Sequence, residues 1–196
     1  TLYYRDVARR IEKIHIIFKT CGIKKGEKIS ICSRNQANWG VVFLASLTYG
    51  AVPVPILHEF KPGNVHHIVN HSESRVLFVG NMVWENLSES EMPKLEAIIR
   101  IDDFSLLYSK AKEVTQARDN LNRMFGEKYP MSFTPKDINY YKEERDMNAP
   151  VEISFTSGTT SATSKGVILP ARSLSVNLEF GFNEIPTCVG GHIFAI

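Results

Sequence analysis

The chain reads as an α/β fold, a largely parallel sheet flanked by helices, on three observations. Short apolar runs alternate with amphipathic stretches along its length, the order of a strand–helix–strand protein. Most of those runs, "ISIC", "VPVPI" and "RVLFV" among them, are almost wholly apolar, as expected of strands covered on both faces. The longer stretches between them place apolar residues three and four apart, so each has one face to bury.

Tyr4, Val7, Ile11, Ile14, Phe18 and Cys21 mark one face of a first helix, and Gly22 is placed to end it as a cap. "ISIC" follows as the first strand. Residues 39–57 carry no charge, and a membrane helix needs about 20 apolar residues. Gly50, Pro53 and Pro55 break that run, because proline removes a helix donor and clashes with the preceding turn. The stretch therefore divides into a buried helix over 36–49 and a strand over 52–56. Pro62 opens a helix running to 72, since its fixed φ suits a first helical position. Residues 75–79 form the next strand, 82–90 a helix and 97–101 a strand. Leu107, Ala111, Val114, Leu121 and Met124 predict one long covering helix over 104–125. The polar, mixed-charge stretch 126–150 predicts a surface loop. A strand over 151–156 leads into a hydroxyl-rich segment, and a strand over 166–170 leads out of it. The whole, 1–196, is expected to form one unit with its loop-rich connection at about 126–150.

Composition excludes several classes. Hydrophobic residues make up 43% and charged residues 22%, an ordinary globular balance rather than a disordered one. The net charge is +2, from 23 basic and 21 acidic side chains interleaved along the chain. Nucleic-acid binders concentrate basic charge on one face, so no nucleic-acid partner is expected. Cys21, Cys32 and Cys188 are too few and too far apart for a disulfide framework or a zinc site. Reduced thiols and a cytoplasmic location are the expectation. The chain begins at Thr1 rather than Met, as a sequence lacking its natural N-terminus would.

The chemistry concentrates in "SFTSGTTSATSKGVILP". Between Thr156 and Lys165 every residue but Gly158, Ala162 and the lysine is Ser or Thr. Backbone amides around Gly158 can approach a polyphosphate closely, since glycine has no side chain in the way. The hydroxyls of Thr156, Ser157, Thr159 and Thr160 can donate to phosphate oxygens while staying neutral. Lys165 adds a mobile point charge. A Walker loop does not fit: Ser164 precedes the lysine, Gly166 follows it, and the segment leads to a strand rather than a helix. A Ser/Thr linker is the plain alternative, countered by β-like flanks that would pin both ends in a hairpin.

"FTSGTTSATSKGV" resembles the phosphate-binding signature of the adenylate-forming enzymes: acyl-CoA synthetases, luciferases and peptide-synthetase adenylation domains. "GIKKGEKISICSRNQANW", "GAVPVPI", "IVNHSESRVLFV" and "LPARSLSVNLEF" are similar to further segments of that family, in its order, across nearly the whole chain. The resemblance implies the N-terminal subdomain of an acyl-CoA synthetase-like fold. It implies ATP, Mg²⁺ and coenzyme A as cofactor and co-substrates, with Thr156, Ser157, Gly158, Thr159, Thr160, Lys165 and Gly166 around the β- and γ-phosphates. "GGHIFAI" resembles a segment whose histidine lines the acyl and nucleotide site, which makes His192 a substrate-side, catalytic candidate. Ser161 stands where the family usually has Gly, Ser164 where it often has Pro, and the loop holds one residue more than the common pattern. The added residue bears on how far Lys165 reaches.

By that resemblance the expected activity is ATP-dependent conversion of a carboxylic acid to acyl-CoA through an acyl-adenylate, with a long-chain fatty acid favoured by "SKG" and "GHIF". Amino-acid or aryl-acid adenylation for a carrier protein stays open, as does a non-catalytic scaffold retaining the fold. The partners expected are small molecules; no transmembrane segment is required, and peripheral membrane contact is left open. Elements the family carries further along, including its adenine and magnesium sites and a C-terminal lysine, are not found in these residues, so the stretch alone is expected not to catalyse. His66, His67 and His71 share a helix, but packing is favoured over a metal pair, and no residue is read as a metal ligand.

Overall fold

Four strands of the central sheet run parallel because each connection returns the chain to the same end of the sheet before the next strand begins. The computed structural model describes residues 2–138, 146–156 and 164–185. Helix α1 (Tyr4–Thr20) precedes β1 (Lys28–Cys32); α2 (Ala37–Tyr49) leads to β2 (Val52–Ile56), and α3 (Pro62–His71) to β3 (Val76–Val79). A single turn, α4 (Asn81–Trp84), and a 3₁₀ turn at Glu89–Glu91 lead to β4 (Ala97–Arg100). The strand order is β2-β1-β3-β4-β5, with β5 (Leu106–Ser109) antiparallel to β4 and the other pairings parallel.

The apolar strand sequences are explained by two covered faces. Along β3, Val76 and Phe78 join the layer built with α1 and α2, while Leu77 and Val79 join the layer built with α3. Phe78 is fully buried, with the Phe18 ring edge-on at 6.1 Å. One polar group sits mid-sheet: Ser30 is fully buried, and its hydroxyl meets that of Ser74 at 2.7 Å, which meets that of Ser72 at 2.8 Å. The chain of hydroxyls keeps each satisfied, without which burial would cost about 1–3 kcal/mol per group.

The charge-free run 39–57 divides as its glycine and prolines require. α2 ends at Gly50, whose φ of 88° is the left-handed conformation of a helix cap, and β2 follows at the sheet edge. No helix among the described residues is long and apolar enough to cross a membrane.

Three expectations need correction. The long helix over 104–125 does not form. Its first part is β5, turned back onto β4 at residues 101–105, where Phe104 takes a φ of 58° and Ser105 N–H donates to Asp103 Oδ1 at 3.0 Å. The remainder is two helices, α5 (Lys112–Asp119) and α6 (Leu121–Lys128), separated at Asn120. A tight turn closed by an aspartate side chain outcompetes helical periodicity in a window this short. The helix over 82–90 likewise reduces to α4 and the 3₁₀ turn. Part of the loop expected over 126–150 is ordered: α6 reaches Lys128, and Phe125, Tyr129 and Phe133 pack with ring centroids 4.8 to 5.1 Å apart.

Strands β6 (Pro150–Thr156) and β7 (Lys165–Pro170) form a separate antiparallel pair, followed by α7 (Ala171–Glu184). This pair lies alongside β2, the outer strand of the main sheet.

Candidate functional site

The site begins with the alternation of β6. Val151, Ile153 and Phe155 fall on one face; Val151 and Phe155 are buried, and Ile153 and Phe155 pack on the layer that includes Val54, Ile56 and Val65. The opposite face carries Glu152, Ser154 and Thr156, with the Ser154 hydroxyl donating to Glu152 Oε1 at 2.6 Å. Residues two apart on a strand share a face, so the apolar side docks the hairpin and the hydroxyl side is left outward.

The cross-strand register then decides which candidate residues meet. Thr156 is paired with Lys165, the last pair before the hydroxyl-rich turn, and Phe155 is paired with Gly166. Thr156 and Lys165 are both exposed, on the face away from the core. A neutral donor and an ammonium group therefore stand opposite one another at the mouth of the loop. Directly paired residues have Cβ atoms about 4.5–5.5 Å apart, a separation one phosphate group can bridge. Ser157, Gly158, Thr159, Thr160 and His192 lie outside the described residues.

Gly166 has a second reason to be glycine. A Cβ built there would lie 3.1 Å from Phe155 Cζ, 3.3 Å from Cε1 and 3.4 Å from Ile153 Cγ2. The ring of Phe155 occupies the space a side chain would need, and the edge of that ring meets His71 of α3 with centroids 6.1 Å apart. His71 in turn stacks on His67 at 5.5 Å, while His66 Nε2 accepts the Ser88 backbone N–H at 3.2 Å. These histidines have packing and hydrogen-bond partners, and among the described residues none joins a group of three metal-binding side chains.

A cavity of about 530 Å³ opens at the carboxyl ends of the parallel strands. It takes Ser33 and Arg34 from beyond β1, His58 and Phe60 from beyond β2, Gly80 from beyond β3 and Asp102 from beyond β4. The strand order reverses between β1 and β3, and open α/β sheets bind ligands at such a switch point. Its lining is mixed in charge, Arg34 against Glu59 and Asp102, so it is not a single-sign anion site. Sequence reasoning missed it because the loops that build it are scattered from residue 33 to residue 102. The one available signal was that each follows an apolar strand.

A layered α/β unit thus carries a two-stranded hairpin docked on its edge. The chain belongs to the AMP-binding enzyme family, whose model matches residues 1–191. Long chain acyl-CoA synthetase 1 of Arabidopsis thaliana is 26% identical over 179 residues, 88% of this chain and 26% of that protein. The anthranilate CoA ligase AuaEII, solved in complex with anthranoyl-AMP, superposes with a TM-score of 0.68 at 20% identity, covering 91% of this chain and 31% of that one. The fatty acyl-adenylate ligase of L. pneumophila, solved with acyl adenylate and pyrophosphate, gives a TM-score of 0.64 at 18% identity, covering 93% and 27%. The chain thus spans under a third of the length of these proteins.

Proposed function

We propose that the complete polypeptide activates a carboxylic acid with ATP and transfers the acyl group to coenzyme A, and that the acid is a long-chain fatty acid. The observation that carries the reading is the Thr156–Lys165 pair at the mouth of the hydroxyl-rich turn. In the proposed first step a carboxylate oxygen attacks the α-phosphorus, the bond to the bridging oxygen breaks, and pyrophosphate leaves. Lys165 places positive charge where the leaving group gathers negative charge, and Thr156, Ser157, Thr159 and Thr160 donate hydroxyl hydrogens to the phosphate oxygens. Gly158 keeps the backbone close to the phosphates, Gly166 follows the lysine on β7, and His192 is proposed on the substrate side. In the second step the thiol sulfur of coenzyme A attacks the acyl carbonyl, and AMP leaves as the thiol proton is lost.

The exposed Thr156 and Lys165 suit a triphosphate end. Magnesium would offset charge on the phosphates; no described cluster of side chains suits it, so no residue here is given that role. The fatty acid rests on the Arabidopsis relative and on the "SKG" motif, while the anthranilate enzyme supports an aryl acid as the alternative. Pyrophosphate exchange by the complete polypeptide, run with palmitate, anthranilate and an amino acid, separates these. We expect exchange with palmitate and about a hundredfold loss in Lys165→Ala, the size seen when one transition-state donor is removed. Exchange with the aryl acid alone would replace the fatty-acid reading, and exchange unaffected by Lys165→Ala would remove the lysine from the mechanism.

A further inference from the structure

Resting on that reading, we infer that Phe155 is a positioning residue: its ring is a wedge under Gly166 that fixes the height of β7 and so the place of the Lys165 ammonium. Three observations converge. Phe155 is 8% exposed and belongs to the core layer made by β2 and α3, so the ring is held from behind. The ring stands perpendicular to that of His71, with centroids 6.1 Å apart. Its front lies against Gly166, where even a methyl group would stand 3.1 Å from Cζ. Such an approach is closer than real Cβ contacts ordinarily come, and the core side of the ring, held in the β2 and α3 layer, does not yield by small continuous adjustment.

The consequence is geometric. Lys165 is the residue next to Gly166, and its cross-strand partner Thr156 is next to Phe155. Whatever lifts Gly166 off the ring lifts the lysine with it and opens the Thr156–Lys165 pair. Charge-assisted hydrogen bonds to phosphate span about 2.7–2.9 Å, and a displacement of about 1 Å in a positioning group can cost a hundredfold. Gly166 is then needed for the ring opposite it rather than for direct contact between its own backbone and the nucleotide. The two roles make different predictions.

The test is a double-mutant cycle in the complete polypeptide, reading ATP affinity by calorimetry and thermal midpoint side by side. Gly166→Ala is expected to weaken ATP binding by about tenfold. Phe155→Leu is expected to weaken it by about threefold, because the wedge is shortened but nothing clashes. The double variant is expected to bind within about threefold of the parent, the leucine leaving room for the new methyl, which is the non-additivity of residues in contact. A Gly166→Ala protein that binds ATP like the parent while melting lower would overturn the proposal, since the wedge would then be structural only. So would a double variant no better than Gly166→Ala alone, the outcome expected if the glycine backbone itself holds phosphate. Should the parent bind no ATP, the phosphate-loop reading fails, and the melting cycle still decides whether positions 155 and 166 are coupled; additive melting shifts would remove the wedge as well.

Discussion

Glu12 has no exposed side-chain surface, yet it carries a carboxylate on the inner side of α1. Lys128 of α6 donates to its Oε1, and His15 Nδ1 lies 3.5 Å from its Oε2. His15 Nε2 in turn donates to the Ala45 carbonyl at 3.0 Å, so one small cluster ties three helices together. Burial works to raise the Glu12 carboxyl, but the neighbouring His15 ring and the bond from Lys128 outweigh this and hold it at about 2, against an ordinary 4.5. The folded value lies below the unfolded one, so this contribution to stability is present above about pH 4.5 and fades as pH falls towards 2. Denaturant titration of Lys128→Ala should give a loss of about 1–3 kcal/mol at pH 7, and the gap from the parent should shrink as the pH falls through that window; a gap independent of pH would contradict the assignment. Burial also pushes the thiols of Cys21 and Cys32 up to about 12. Both should resist a thiol reagent in the folded protein and react once it is unfolded, because the thiolate is the reacting form.

At the scale of elements, turn chemistry decides more than periodicity. α3 closes with Ser72, after which Glu73 adopts a φ of 57° and Ser74 N–H reaches back to the Val69 carbonyl. That position favours glycine, since a side chain in the left-handed region costs about 1–2 kcal/mol. Glu73 is exposed and pairs with Lys94, also exposed, at 2.6 Å, an interaction that solvent screens. Glu73→Gly should therefore raise stability in thermal or chemical unfolding; a loss would mean that the surface pair outweighs backbone strain. The same contest explains what was legible in the sequence. The helices α1, α2 and α3 and the strands β1 to β4 were readable because their apolar spacing is uninterrupted. β5 was not, because Leu106 and Leu107 also fit a helical stripe and the competing signal lay in the Asp103 turn before them. The hairpin was readable from its hydroxyls and β-like flanks. The space demanded at Gly166 was not, because it depends on a ring across the strand pair, and the cavity at the carboxyl ends of the strands was not, because it is assembled from four separate loops.

For the molecule as a whole, apolar exposure is uneven. Ile168 of β7 and Val176, Leu178, Phe180 and Phe182 of α7 are all exposed, and Phe182 keeps 81% of its surface. Leu174, Leu178 and Phe182 follow one helical stripe, while Val176 and Phe180 fall on the opposite side. A helix apolar on two faces is normally buried, and exposed apolar patches mark surfaces that other protein covers. The 196-residue chain on its own should therefore bind a hydrophobic dye strongly, with the signal falling in Phe180→Ser/Phe182→Ser; no change in that variant would place the dye elsewhere. The layered sheet supplies a stiff edge, the apolar side of β6 docks on it, and the outward side holds the Thr156 and Lys165 pair. The most direct test is calorimetric titration of ATP into the complete polypeptide and its Lys165→Ala variant. Saturable binding that weakens at least about tenfold in the variant, with the melting temperature unchanged, is the predicted result. Equal affinity in the two proteins would contradict it.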